Sequence, residues 1–125
     1  MNENEIFNFL SQLGDESAKI TMANFRSNVK AYNKNNATIK LDPVTDADRK
    51  SELLIRKLIG KKFPDHSISG EEFEDVDRDP KYKWYIDPID GTKSFISGIP
   101  LWGTLIGLQI DGIPEFGLID NPVTK

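Results

Sequence analysis

The first third of the chain carries an apolar pattern with helical spacing. Apolar or small side chains recur at steps of three and four residues, at Ile6, Phe9, Leu10, Leu13, Ser17 and Ile20. This spacing puts them on one face of an amphipathic helix, which we expect to run from about Glu5 towards Val29. The asparagine-rich stretch from Tyr32 to Thr38 is predicted to form a loop.

A second helical pattern begins near Thr45. Thr45 and Asp48 have the spacing of an N-terminal capping box, in which Asp is a weaker partner than Glu or Gln. Four apolar side chains would form the buried face of this helix: Leu54, Ile55, Leu58 and Ile59. Gly60 and Pro64 are expected to end it.

The remaining apolar segments are typical of strands. Ser67–Gly70 is short, and Trp84-Tyr85-Ile86 is aromatic and β-branched. Leu101–Ile110 and Ile113–Ile119 are joined by Asp111-Gly112, and Asp-Gly between two such runs is a strong hairpin signal. We therefore expect an α+β fold in which two helices cover one face of an antiparallel sheet.

Composition limits the kinds of function that this chain can have. It has 125 residues, of which 38% are apolar, as expected for one domain with a modest core. The net charge of −4 argues against nucleic-acid binding, which needs a basic face. Met1 to Leu13 is too acidic and polar for a signal peptide, and no apolar run approaches the length of a membrane span. A cytoplasmic location is the default expectation.

The residue types present also restrict metal chemistry. There is no cysteine and only one histidine, His66. Disulfides and thiolate zinc sites are therefore excluded, and a metal would be bound by carboxylate, carbonyl or imidazole groups. His66, next to Pro64 and Asp65, is expected to be a loop residue, whereas Trp84 and Trp102 are expected in the core.

The segment Asp87-Pro88-Ile89-Asp90-Gly91-Thr92 follows the predicted strand directly. Its two carboxylates are three positions apart, and the proline fixes the backbone after the first. With the carbonyl between them they would form an oxygen-only ligand set, which suits Mg²⁺, Mn²⁺ or Ca²⁺. Gly91 lets a backbone approach a phosphate closely, and a helix that begins at Thr92 would offer amides to an anion. Asp-Pro and Asp-Gly are also ordinary turn dipeptides, so a simple turn stays open.

A second acidic segment follows Gly70. Its six acids in nine positions are Glu71, Glu72, Glu74, Asp75, Asp77 and Asp79. A carboxylate of Gly70-Glu71-Glu72 could complete a magnesium shell and polarise a water, or Glu71 and Glu72 could merely open a solvated acidic loop, to which Glu74–Asp79 are assigned. The segment could also bind calcium without catalysis, although its spacing does not match an EF-hand loop.

Three segments, taken in order, resemble the inositol monophosphatase family. They are Asp42-Pro43-Val44-Thr45-Asp46-Ala47-Asp48, Gly70-Glu71-Glu72 and Trp84-Tyr85-Ile86-Asp87-Pro88-Ile89-Asp90-Gly91-Thr92. The resemblance runs from about Glu5 to Lys125 but covers only the N-terminal half of a family member. It implies that residues 1–125 are the metal-binding half of a layered α/β sandwich phosphatase, and that a C-terminal half with a further metal-binding aspartate is absent.

The resemblance also implies roles for individual residues. The metal ligands would be Glu71, Asp87, the carbonyl of Ile89, and Asp90, which would help to bind two or three Mg²⁺ ions in the complete enzyme. The substrate phosphate would contact the backbone at Ile89, Asp90, Gly91 and Thr92. Glu71 would orient the attacking water, and Thr92 with Asp48 would form a second hydrogen-bonded pair that activates water.

Within the family, the chain is most similar to the histidinol-phosphatase branch. The segments that carry this similarity are Asp87–Phe95, Gly98–Leu105, Asp42–Thr45 and Phe63–His66. The implied reaction is hydrolysis of histidinol phosphate to histidinol in histidine biosynthesis, by a full-length homodimer with no nucleic-acid or membrane partner. Inositol monophosphate and other sugar phosphates are alternative substrates. The chain could also be an inactive fragment or a non-catalytic module that binds divalent cations.

Overall fold

In the computed structural model, the described residues are 2–27, 31–33 and 43–124. They form three helices and six strands. In chain order these are α1 Glu3–Asn24, β1 Ala31–Asn33, β2 Pro43–Thr45, α2 Asp46–Lys62, β3 His66–Gly70, β4 Asp79–Asp90, α3 Thr92–Ile96, β5 Gly103–Ile110 and β6 Ile113–Asp120.

Helix α1 forms where the periodic pattern predicts it but is shorter. Asn2 caps its start, because the side-chain oxygen accepts a hydrogen bond from the amide of Glu5 at 2.8 Å. The helix ends at Asn24, since Phe25 has extended backbone angles and its ring packs into the core. Val29, where the pattern was expected to end, lies outside the described residues. No helix in the described ranges is long and apolar enough to cross a membrane.

Helix α2 begins with the predicted capping box. The side chain of Thr45 accepts from the amide of Asp48, and the side chain of Asp48 accepts from the amide of Thr45. The prediction that Gly60 helps to end the helix is wrong, because the helix continues to Lys62, whereas Pro64 does mark its end, directly after the C-cap residue Phe63. Packing of Ile59, which is fully buried, outweighs the cost of about 1 kcal/mol that glycine carries in a helix.

The four main strands form one sheet in the order β3-β4-β5-β6. The predicted α+β fold with two helices on a sheet is confirmed, but the sheet is mixed, because β3 runs parallel to β4. After β3 the chain returns along its outer edge, where Val76 and Ile68 exchange two backbone hydrogen bonds of 2.8 and 2.9 Å. It reaches the start of β3 again at Asp79, whose amide donates a hydrogen bond to the carbonyl of Asp65. Strand β4 therefore starts beside the start of β3.

The predicted hairpin is confirmed between β5 and β6. Asp111 and Gly112 form a two-residue loop in which both φ angles are positive, 51° and 79°. These angles are those of the turn type that matches the twist of paired strands. The expected loop at Tyr32–Thr38 is wrong for Tyr32 and Asn33, which pair with β2. Residues 34–38 lie outside the described part of the chain.

The buried apolar side chains form two clusters. The larger cluster lies between the two long helices and the sheet, and its buried members are Ile6, Phe9, Leu10, Leu13, Ile55, Ile59, Ile68, Trp84, Ile86, Ile106 and Leu108. The smaller consists of Ala47, Ile89, Phe95 and Trp102, with Phe25 and Val123 packed against it. Both tryptophans are therefore in the core, as predicted.

His66 was expected in a loop, and this is wrong. It begins β3 with only 7% of its surface exposed, and its ring stacks between Phe63 at 4.5 Å and Tyr82 at 4.4 Å. Its Nδ1 accepts a hydrogen bond of 2.9 Å from Nε1 of Trp84, so this nitrogen carries no proton. Burial lowers the pKa of His66, and the carboxylates of Asp79 and Asp65 oppose this only in part.

This arrangement predicts a pH dependence of stability. The folded pKa of His66 lies below its ordinary value, so neutral His66 contributes to the stability of the fold. This stability is fully present above a pH of about 6.5 and is lost as the pH falls through the folded pKa. We expect His66→Asn, which cannot titrate, to flatten that part of the curve. Urea unfolding of both chains between pH 7.5 and pH 5 measures this, and equal slopes would contradict it.

Candidate active site

The parallel pairing of β3 and β4 brings two predicted ligands to one edge of the sheet. Gly70, the last residue of β3, pairs with Ile86, so Glu71 and Asp87 each follow the last pair between the two strands. The expectation that the strand ends at Ile86 is wrong, because β4 continues along β5 as far as Asp90. Glu71 and Asp87 both line a cavity of about 440 Å³ together with Tyr85, which is exposed. Trp84 and Ile86 face the helices, so alternation along the strand places Tyr85 and Asp87 on the opposite face.

A β-bulge separates Asp87 from Asp90. Asp87 pairs with Leu105 and Asp90 with Gly103, so three steps along β4 match only two along β5. The carbonyl of Pro88 is withdrawn from the ladder and accepts a hydrogen bond of 2.8 Å from the buried hydroxyl of Thr104. Bulges of this kind turn side chains away from the regular alternation. Asp90 is thereby exposed at the strand end, while the side chain of Ile89 is buried.

Gly91 makes the turn from β4 into α3. Its φ of +91° is in the left-handed region, and a Cβ there would lie 2.9 Å from the carbonyl oxygen of Leu101. Both restrictions require glycine. Helix α3 then begins at Thr92, as expected, and no side chain of the described residues caps its first amides.

Thr92 and Asp48 approach one another across the fold. Oγ1 of Thr92 lies 3.1 Å from the carbonyl oxygen of Ile89 and 3.5 Å from Oδ1 of Asp48. The single hydroxyl proton therefore favours Ile89, and the contact with Asp48 is long for a hydrogen bond. Oδ2 of Asp48 accepts from the amide and the hydroxyl of Thr45 at 3.0 and 2.6 Å. The helix cap thus fixes the carboxylate and keeps Oδ1 turned to Thr92.

The smaller core cluster sets the spacing of this pair. Ala47 precedes Asp48 in the chain, and Ile89 and Phe95 flank the turn that carries Thr92. Because these apolar side chains pack together with Trp102, the start of α2 and the start of α3 are held next to each other.

The predicted metal ligands lie along one edge of the sheet but do not form a preformed metal-binding site. In the described residues no group of three or more Asp, Glu, His or Cys side chains is close enough to hold a metal ion. Glu71 and Asp90 are exposed, and Asp87 is half-buried. The described part of the first resemblance segment begins at Pro43, so Asp42 lies outside it.

Part of the acidic segment has structural contacts. Arg56 donates to the carbonyl oxygens of Phe73 and Glu74 at 3.0 and 2.9 Å. A hydrogen bond from Ser69 lowers the pKa of Asp75, and Lys83, whose Nζ is 3.5 Å from Asp75 Oδ2, contributes. These contacts favour a structural loop over a calcium site.

Sequence reasoning missed Glu52. Its side chain is fully buried, and its carboxylate accepts hydrogen bonds from the amides of Glu72 and Phe73 at 2.9 and 3.1 Å. The sequence does contain a signal, because Glu52 lies at helical spacing from Asp48 and Ile55 on the buried face of α2.

Comparison with known proteins identifies the family. A model of the inositol monophosphatase family matches residues 2–125. The chain belongs to the inositol monophosphatase family. The resemblance that the three segments indicated is therefore confirmed, and it extends over nearly the whole chain.

Individual family members match with substantial identity. Histidinol-phosphatase of Chlorobaculum parvum is 42% identical over 112 residues, which are 89% of this chain and 42% of that protein. Inositol-1-monophosphatase of Synechocystis is 42% identical over 82 residues, which are 65% of this chain and 29% of that protein. The solved structure of extragenic suppressor protein suhB from Bartonella henselae has a TM-score of 0.87 and 28% identity, and the match covers 95% of this chain and 46% of that one. The chain spans less than half the length of each of these family members.

The turn at Gly91 can be tested against a matched glycine. Gly112 also has a positive φ, 79°, but a Cβ there meets nothing within 4 Å. We expect Gly112→Ala to cost about 1 kcal/mol of unfolding free energy from the left-handed backbone alone. Gly91→Ala should cost clearly more, because its Cβ also meets the backbone of Leu101. Urea unfolding of both variants measures the difference, and equal losses would show that the close approach is unimportant.

Proposed function

We propose that this chain is the N-terminal, metal-binding half of a magnesium-dependent phosphatase that hydrolyses a small phosphate monoester. One observation carries the proposal: Glu71 and Asp87 each follow the last pair between the parallel strands β3 and β4, and β4 ends at Asp90, directly before the turn at Gly91 and Thr92. Membership of a phosphatase family supports the same reaction class.

The residue types at this edge fit a hard divalent cation. Glu71, Asp87, Asp90 and the carbonyl of Ile89 offer only oxygen, which is the ligand type that Mg²⁺ prefers. The one histidine is committed to the core through Trp84. Mg²⁺ commonly uses one or two carboxylates and completes its shell with water and substrate phosphate, so it does not require a cage of three protein carboxylates. When bound, it would supply the positive charge that stabilises the phosphate oxygens, with two or three ions in the complete enzyme.

The protein's own groups would orient and deprotonate water. Glu71 is exposed above the cavity and can accept a proton from the attacking water at a carboxylate oxygen. Thr92 directs its hydroxyl proton to Ile89, which leaves lone pairs on Oγ1 to accept from a second water. For the transfer the hydroxyl would turn from Ile89 to Oδ1 of Asp48, fixed 3.5 Å away, and give its own proton to that carboxylate while Oγ1 takes a proton from the water. In this role Asp48 both caps α2 and activates water.

The turn after β4 would bind the substrate phosphate. The positive φ of Gly91 brings the backbone of residues 89–92 into a tight turn without a side chain in the way. Backbone amides at such a turn can donate to phosphate oxygens. The neighbouring carboxylates would repel a phosphate dianion on their own, so phosphate binding and cation binding depend on one another.

Histidinol phosphate is the first candidate substrate, and histidine biosynthesis the corresponding pathway. A relative named histidinol-phosphatase aligns over more of this chain than the relative named inositol-1-monophosphatase does, at equal identity. The segment Gly98–Leu105, which also carries the similarity to that branch, follows the candidate site directly. Inositol monophosphate ranks second and other sugar phosphates third.

A full-length protein would complete the site with a further aspartate. The open sheet face supports a second layer in the full-length protein, because Ile119 is 85% exposed and Tyr85 is 43% exposed on the described strands. Gly107 and Gly117 pair across the same face, so a second layer could pack closely against it. We further propose that the full-length enzyme is a cytoplasmic homodimer and that residues 1–125 alone have little activity.

The activity test uses a full-length protein that contains this chain, with Mg²⁺ and phosphate release as the readout. Histidinol phosphate should give a higher kcat/KM than inositol monophosphate. Glu71→Gln should lower kcat far more than Glu72→Gln, because only Glu71 is assigned to the attacking water. A clear preference for inositol monophosphate would overturn the substrate ranking, and the absence of any magnesium-dependent release would overturn the function.

A further inference from the structure

The buried carboxylate of Glu52 binds the backbone that directly follows Glu71. It accepts hydrogen bonds from two consecutive amides, those of Glu72 and Phe73, at 2.9 and 3.1 Å. The carboxylate lies in α2, whereas the amides lie in the segment after β3. Two charge-assisted bonds to adjacent amides fix both the position and the direction of that backbone.

Arg56, which carries the opposite charge, binds both Glu52 and the same backbone segment. Its Nε donates to Oε2 of Glu52 at 2.9 Å, while its two terminal nitrogens donate to the carbonyl oxygens of Phe73 and Glu74. Its guanidinium also lies 5.9 Å from the ring centre of Phe73. The anion therefore binds the amides and the cation binds the carbonyls of one short segment. We call this arrangement of Glu52 and Arg56 around residues 72–74 the α2 clamp.

Gly70 makes room for the clamp. A Cβ on Gly70 would lie only 2.5 to 2.6 Å from the carboxylate atoms of Glu52. Any larger residue would push the carboxylate away from the amides that it binds. The close contact with Glu52 therefore explains why glycine is needed at position 70, without reference to a phosphate or a metal.

We propose that Glu52 is a positioning residue for Glu71, and that the α2 clamp holds Glu71 at the edge where it meets Asp87. The inference rests on the proposed role of Glu71 as metal ligand and water-orienting group. A buried ion pair adds little stability over well-packed apolar side chains. The geometry points instead to a directional function, because both charges bind the backbone of the segment that continues from Glu71.

The test compares variants of the 125-residue chain by NMR, with amide hydrogen exchange and Mn²⁺-induced broadening of the Glu71 amide as readouts. Glu52→Gln keeps the shape but removes the charge. We expect exchange at Glu72 and Phe73 to rise, and the Mn²⁺ affinity reported at Glu71 to fall about tenfold or more, as for residues that support metal ligands. Ile59→Val, a fully buried change in the same helix, controls for general destabilisation and should change neither.

A second variant keeps the test decisive if Glu52→Gln does not fold. The double change Glu52→Met and Arg56→Met replaces the pair by apolar side chains, which usually preserves the fold. It should stay folded but lose Mn²⁺ affinity at Glu71. Wild-type affinity in a folded clamp variant, or an equal loss in Ile59→Val, would overturn the proposal. If the wild-type chain shows no Mn²⁺ effect at Glu71, the positioning role fails with the proposed function, whereas unchanged exchange in Glu52→Gln would refute the clamp alone.

Discussion

The approach of Glu71 to Asp87 depends on the parallel pairing of β3 with β4. Parallel neighbours need a crossover, and here the acidic segment provides it by running back along the outer edge of β3 at Val76. Both strands therefore run towards the same edge of the sheet, and Glu71 lies beside Asp87. An antiparallel pair would have placed the end of β3 near the start of β4, and the two carboxylates at opposite ends of the sheet.

Each charged group at this edge is positioned by a different structural feature. The α2 clamp binds the segment after Glu71, the bulge after Asp87 redirects Asp90, and the capping box fixes Asp48. The smaller core cluster ties the last of these to Thr92. The acidic edge lies next to the turn that we propose binds phosphate, and carboxylates so close to a phosphate dianion would repel it unless a cation reverses the local field.

The sequence predicted those features that depend on near neighbours. The helices follow from apolar spacing, the α2 cap from Thr45 and Asp48, and the hairpin from Asp111-Gly112, because each involves residues a few positions apart. The direction of β3, the burial of His66 and the role of Glu52 were not predicted. His66 bonds to a residue 18 positions away and Glu52 to residues 20 and 21 away, so no local pattern reveals them. Spacing alone also left Glu71 as a possible loop residue, and only the family resemblance gave it a role.

The location of a bound divalent cation tests the central claim most directly. Mn²⁺ added to the isotopically labelled 125-residue chain broadens the resonances of nearby amides, and excess Mg²⁺ should reverse the effect by competition. We expect the strongest broadening at residues 70–71 and 87–92, its loss in Asp87→Asn with Asp90→Asn, and no change in Asp77→Asn, which alters the acidic segment only. Broadening centred on residues 74–79, or none that saturates, would contradict the assignment of this edge as the metal site.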